Sequence, residues 1–140
     1  MNFLPKVIFT HVKDNQTKIG HICQTVYEAI NKKKRILILV QNEEAAKYID
    51  SLLWRFPEES FLPHSYANKP TKENIVVTTI NSQNLNQAAI LLNLSPSTTP
   101  IFNHFEEIHE LYDETSPPKV ENSKLKIKSY QSLALNIIEK

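Results

Sequence analysis

Histidines, cysteines and paired carboxylates are the side chains that most readily do chemistry, and this 140-residue chain spaces few of them usefully. His104 and His109 flank Phe105-Glu106-Glu107-Ile108 and superficially suggest a metal site. A zinc-binding helix needs its histidines one helical turn apart, so that both point at one ion. Here they stand five apart, in a segment that leans toward strand, and two solvent-facing histidines are expected. His11 and His21 have no ligand-like neighbours and carry the same expectation. Cys23, the one cysteine, falls on an apolar helical stripe, where a thiol is buried and inert. No serine sits in a glycine-flanked elbow. Glu43-Glu44 and Glu58-Glu59 are sequence neighbours that do not converge by spacing. No catalytic constellation, metal or cofactor is expected. Gly20 is the one glycine, and phosphate-cradling loops need several so that the backbone can approach an anion. Neither a Walker-type loop nor a GxGxxG turn can be built from it.

Two other patterns suit binding rather than catalysis. Leu53 to Ser65 reads LWRFPEESFLPHS, placing Trp54, Phe56 and Phe61 at a helix-to-loop junction. Loops are normally polar, and Trp, Phe and Arg are enriched at interfaces, yet such aromatics can equally plug a domain's own core. On the final helix, Lys124 and Lys128 lie one turn apart with Ile127 beside them, while Lys126 points elsewhere. Two ammonium groups framing an apolar side chain suit an acidic peptide with an apolar end. A solvated helix face with Ile127 turned inward fits the same spacing.

The elements that must position these residues alternate. Lys6 to His11 is a β-rich run, and Asp14 and Asn15 start a helix whose stripe is Ile19, Ile22, Cys23, Val26, Tyr27 and Ile30. Lys32 to Arg35 suit the helix end, and Arg35 to Val40 is continuously apolar, as in a strand covered on both faces. Asn42 caps a second helix with Ile49, Leu52 and Leu53 inward. A connection over 55–74, containing Pro57, Pro63 and Pro70, precedes strands at Asn74 to Thr79 and Ala88 to Leu94. A short helix at Thr99 to Phe105 and a last strand at Glu107 to Tyr112 follow. Pro117 and Pro118 end that section, and Glu121 to Ile138 reads as the final helix, with Ile127, Tyr130, Leu133, Ala134 and Ile137 inward. The expected fold is α/β, one three-layer Rossmann-like domain over residues 1–140 with a mostly parallel sheet of about five strands.

Charge is balanced, with 16 basic and 15 acidic residues and a net charge of +1, which argues against a domain that grips nucleic acid by its phosphates. A single cysteine, no signal-like start and no apolar run of membrane-spanning length point to a cytoplasmic protein.

The segment Leu53-Trp54-Arg55-Phe56-Pro57-Glu58-Glu59-Ser60-Phe61-Leu62-Pro63-His64 resembles the central signature of the chi subunit of bacterial DNA polymerase III: a Leu-Trp, a gap, then Ser-Phe-aliphatic-Pro-His after the second helix. The order of elements around it agrees. The resemblance implies a Rossmann-like fold without nucleotide binding and an accessory, non-enzymatic role in the clamp loader. It implies two partners: the psi subunit, and the acidic, Phe-ending tail of single-stranded-DNA-binding protein. The psi-contacting aromatics fall on Trp54 and Phe61, with Phe56 between them, and the tail-binding residues on Lys124, Ile127 and Lys128. Ile127 stands where the family often has a tyrosine, and Lys124 replaces an arginine, keeping charge but losing bidentate geometry. The rival readings are a direct single-stranded nucleic-acid-binding module and an enzyme on a Rossmann-like scaffold. The adaptor reading expects little direct DNA binding and no membrane association.

Overall fold

The computed structural model describes residues 4–55 and 64–140. Strand β1 (Lys6–Val12) leads into helix α1 (Asn15–Asn31), which Asp14 caps by accepting the Thr17 N–H at 2.7 Å. Strand β2 (Ile36–Leu39) follows, then α2 (Glu43–Arg55), where the Asn42 side chain accepts the Ala45 N–H at 2.9 Å. Strands β3 (Ser65–Tyr66), β4 (Ile75–Thr78) and β5 (Ile90–Asn93) come next. A 3-10 turn at Phe102–His104 leads to β6 (Glu107–Asp113), α3 (Pro117–Ser132) and β7 (Asn136–Glu139).

All the strand pairings are parallel, and the sheet order is β3-β4-β2-β5-β6-β1-β7. Strands β2, β4 and β5 are buried along their whole length, as a parallel sheet covered on both faces requires. Their alternate residues feed two cores. Ile36, Ile38, Ile75, Val77, Ile90 and Leu92 pack under α1 and α2. Leu37, Leu39, Val76 and Leu91 pack on the other face with Val7, Phe9, Phe105, Ile108 and Tyr130. Three layers result, and the α/β class agrees with expectation.

Among the described residues the sheet has seven strands rather than about five. The two additional strands, β3 and β7, are its edges. Strand β3 is only two residues long and lies within what reads as a proline-rich connection. Strand β7 occupies the stretch read as the end of the last helix. That helix does not run from Glu121 to Ile138. Pro117 and Pro118 open it instead of ending the section before it, because the first helical positions need no N–H partner. It stops at Ser132, and Ala134 adopts φ 57°, a left-handed conformation that turns the chain into β7. Ile137 therefore pairs with Val7 in the sheet, and Leu133 is 43% exposed rather than inward. Tyr27, on the expected α1 stripe, sits at its rim, 36% exposed. Lys33 and Gln87 are the other non-glycine residues with positive φ among the described residues, at 58° and 52°. Gly20 lies inside α1 with nothing within 4 Å of where a Cβ would stand. No helix among the described residues is long and apolar enough to cross a membrane.

Candidate functional site

Helix α2 buries Ala46, Ile49, Leu52 and Leu53, and this rotation leaves Trp54 on its outer side, 51% exposed. The Trp54 ring meets the His64 ring at a centroid distance of 4.7 Å, tilted by 51°. Asp50, one turn earlier, holds His64 Nε2 through its Oδ1 at 2.8 Å. Tyr66, 43% exposed on the edge strand β3, lines a hollow with Glu43, Ala46, Lys47 and Asp50. Trp54 is thus an exposed aromatic at a sheet edge and not a plug of the core. Phe56 and Phe61 lie outside the described residues.

On α3, Lys124 and Lys128 are both exposed. Lys124 meets Glu121 Oε1 at 3.5 Å, an exposed pair that contributes little. Ile127 between them is half-buried and packs against the core that holds Phe9 and Tyr130. The apolar group standing beside the two ammoniums on the outside is Leu125, 61% exposed, which sequence reasoning missed. Its place next to Lys124 and three residues before Lys128 was the available signal.

Lys126 points away from Lys124 and Lys128, as expected, and into the interior: its side chain is 9% exposed, against a Glu110 side chain at 0%. Lys126 Nζ donates to Glu110 Oε1 at 2.8 Å and to the Ser95 carbonyl at 2.6 Å. Tyr130 Oη donates to Glu110 Oε2 at 2.5 Å, and Asn93 Nδ2 to the same oxygen at 2.8 Å. Burial pushes the Glu110 carboxyl above its ordinary range, with Lys126 and the two hydrogen bonds opposing. Burial and the Glu110 charge raise the Tyr130 hydroxyl, which stays protonated and donates.

Two of the four histidines, His109 and His21, are more buried than expected, while His11 and His104 are exposed. His109 is mostly buried, with Nε2 at 3.1 Å from Glu107 Oε1, and Nδ1 has no hydrogen-bond partner among the described residues. His11 Nε2 lies 3.3 Å from Glu139 Oε1, brought close by the unexpected strand β7, and its ring stacks on Tyr112 at 4.3 Å. His21 is half-buried, with Nε2 at 3.4 Å from Thr25 Oγ1. His104 is exposed. No group of three or more His, Cys, Asp or Glu side chains able to hold a metal occurs among the described residues. Cys23 is buried, and burial raises its thiol to about 11, so it is protonated at neutral pH.

Two exposed surfaces therefore flank the sheet, one aromatic beside β3 and one basic on α3, which packs against β6 and β7. A profile of the DNA polymerase III chi subunit family, HolC, matches residues 4–137. This chain belongs to the DNA polymerase III chi subunit family. A stretch of 48 residues is 38% identical to the DNA polymerase III subunit chi of Escherichia coli (strain K12). That stretch covers 34% of this chain and 33% of the length of the Escherichia coli protein. The family match spans both exposed surfaces of this chi-family chain as well as the buried Glu110–Lys126 pair.

Proposed function

We propose that this chain acts as one domain over residues 1–140 and is a non-catalytic accessory subunit of the clamp loader of DNA polymerase III. In this reading it bridges the psi subunit and the acidic C-terminal tail of single-stranded-DNA-binding protein in the cytoplasm during DNA replication. The observation that carries the reading is the separation of two chemically distinct exposed surfaces. Trp54 stands at the end of α2, beside the β3 edge, while Lys124 and Lys128 stand on α3, beside the β7 edge. One partner on each edge makes a bridge without either obstructing the other. Family membership supports the setting.

The aromatic surface anchors psi through Trp54, with Phe56 and Phe61 following in the chain. Aromatic side chains bring large apolar area to an interface at low entropy cost. The basic surface holds the tail's carboxylates through Lys124 and Lys128. Ile127, turned partly into the core, offers the terminal ring only part of a seat, and Leu125 supplies the exposed remainder.

Peptide titration tests both halves. Lys124→Glu with Lys128→Glu should abolish binding of an acidic, Phe-ending peptide and leave psi association intact, while Trp54→Ala should do the reverse. Tail binding should weaken as salt rises, because exposed charges are screened. Loss of both partners in both variants, or of neither, overturns the bridge. Filter binding of bare single-stranded DNA should be weak; tight binding would favour a direct nucleic-acid module instead.

A further inference from the structure

A cavity lies in a different part of the fold. From β2 the chain leaves through α2 toward β3 on one side of the sheet, and from the neighbouring β5 it leaves toward β6 on the other. Adjacent strands with connections running in opposite directions leave a crevice at their carboxyl ends, where open α/β sheets bind ligands. A cavity of about 360 Å³ occupies that place, lined by Val40 and Gln41 after β2 and by Asn93, Leu94 and Ser95 at the end of β5. Its size falls within the range of small-molecule clefts, about 300–1,000 Å³.

The lining divides by chemistry. Val40, Ala45, Ile49 and Leu111 form an apolar part. Lys18, Asp113, Lys119, Asn122 and Lys126 form a polar part. Asp113 is the one carboxylate among the described lining residues, and both its oxygens are engaged. Oδ2 accepts from Lys18 Nζ at 2.7 Å, and Oδ1 accepts from the Thr115 backbone N–H at 3.0 Å and the Thr115 hydroxyl at 2.5 Å. The cations keep donors in reserve, because an ammonium has three. Lys126 commits two, to Ser95 and Glu110, and Lys18 commits one, to Asp113. The side chains of Lys119 and Asn122 make no hydrogen bond or ion pair among the described residues. The polar part holds three ammonium groups with donors in reserve, and its one carboxylate is already satisfied, which favours an anionic acceptor there.

We propose that this crevice binds a small organic anion, its phosphate or carboxylate held by Lys18, Lys119 and Lys126 and its apolar body lying against Val40, Ala45 and Ile49. Side-chain ammoniums take the place of the glycine-rich backbone loop that this chain lacks. The site is separate from the tail-binding surface, since Lys124 and Lys128 are not part of its lining.

Titration of the full chain, followed by amide NMR shifts, tests the site. AMP and hexanoate present the two head groups, and adenosine is the neutral control. Saturable shifts at Gln41, Ser95 and Asn122 are expected with AMP, hexanoate or both, which separates phosphate from carboxylate recognition. Lys119 is exposed, so Lys119→Glu should leave thermal melting and tail binding unchanged while weakening anion binding at least about tenfold. The proposal fails if no probe gives saturable shifts at millimolar concentration, if adenosine matches AMP, or if Lys119→Glu binds as well as the parent chain. It also fails if the acidic tail peptide itself fills the crevice and shifts the same amides.

Discussion

Helices α2 and α3 cover opposite faces of one sheet, and different forces hold them there. Helix α2 buries only apolar side chains, Ala46, Ile49, Leu52 and Leu53, against an aliphatic core. Helix α3 buries Ser123, Lys126 and Tyr130. The Ser123 hydroxyl accepts the Asp113 backbone N–H at 3.0 Å, while Lys126 and Tyr130 both reach Glu110. An apolar stripe is satisfied by many neighbouring registers, because hydrophobic attraction has no direction. Hydrogen bonds to a single buried carboxylate are satisfied by one. The outer faces of the two helices inherit this difference. Trp54 is placed by the general fit of α2, whereas Lys124 and Lys128 are set by the pins that hold α3.

Removing a pin should have the largest effect. Glu110→Ala leaves the Lys126 ammonium buried without its counter-charge, and the expected cost is about 3–5 kcal/mol by urea unfolding. Replacing the pair together, Glu110→Leu with Lys126→Met, should recover most of that loss, since no buried charge is then unpaired. A single-variant loss below about 1 kcal/mol would mean that α3 does not depend on the pair. On α2, Leu53→Ala should cost about 2–4 kcal/mol through the lost burial and the cavity left behind. Leu53→Met, which conserves volume, should cost less than about 1.5 kcal/mol. An equal penalty for both would show α2 to be as exacting as α3.

Acid should act with opposite signs on His21 and His109 and on the carboxylate beneath α3. The buried contacts of α2 contain no titrating group. Elsewhere burial lowers His21, with the His109 charge adding to it, and burial lowers His109, with Glu107 opposing and Lys140 and Lys32 adding. A histidine lowered on folding takes up protons first in the unfolded chain. Its stability contribution is present above the ordinary value of 6.5 and is lost as pH falls below it. Glu110 has the opposite sign: raised by burial, it favours the folded state at low pH and loses that advantage as pH rises from its ordinary value, 4.5, through its raised one. The histidine contribution should lower urea midpoints between about pH 7.5 and about pH 5.5, so the parent chain should lose more over that window than His109→Gln does. A slope unchanged in that variant would remove His109 as its source.

The contrast between the helices also explains what could be read from the residues. Strand β2 and helix α2 follow apolar spacing almost residue for residue, because their partners are simply apolar. Within its bounds helix α3 keeps only Ile127 and Tyr130 of the stripe read for it, and its buried Lys126 resembles any solvated lysine. The usable signal lay elsewhere, in β6. Ile108 and Glu110 are alternate residues of one strand and both are buried, so a carboxylate at that position requires a cation from another element. Strand β7 escaped because Ile137 continues a helical spacing from Tyr130, and only the left-handed Ala134 breaks it. Of the candidate site residues, Trp54, Lys124 and Lys128 are exposed as a binding role requires, and Ile127 is turned partly inward.

The backbone conformations described earlier leave stability unclaimed. The chain spends its one glycine inside α1, where open space surrounds the missing Cβ, and puts Lys33, Gln87 and Ala134 where a glycine would be relaxed. Gly20→Ala should gain about 0.5–1 kcal/mol from helix propensity, and Ala134→Gly should relieve roughly 1 kcal/mol of left-handed strain. Thermal melting would register both, and a loss in Gly20→Ala would mean that α1 is crowded there after all. Both positions lie away from Trp54, Lys124 and Lys128, so a hardier form of the protein is within reach of two substitutions that leave these three residues in place.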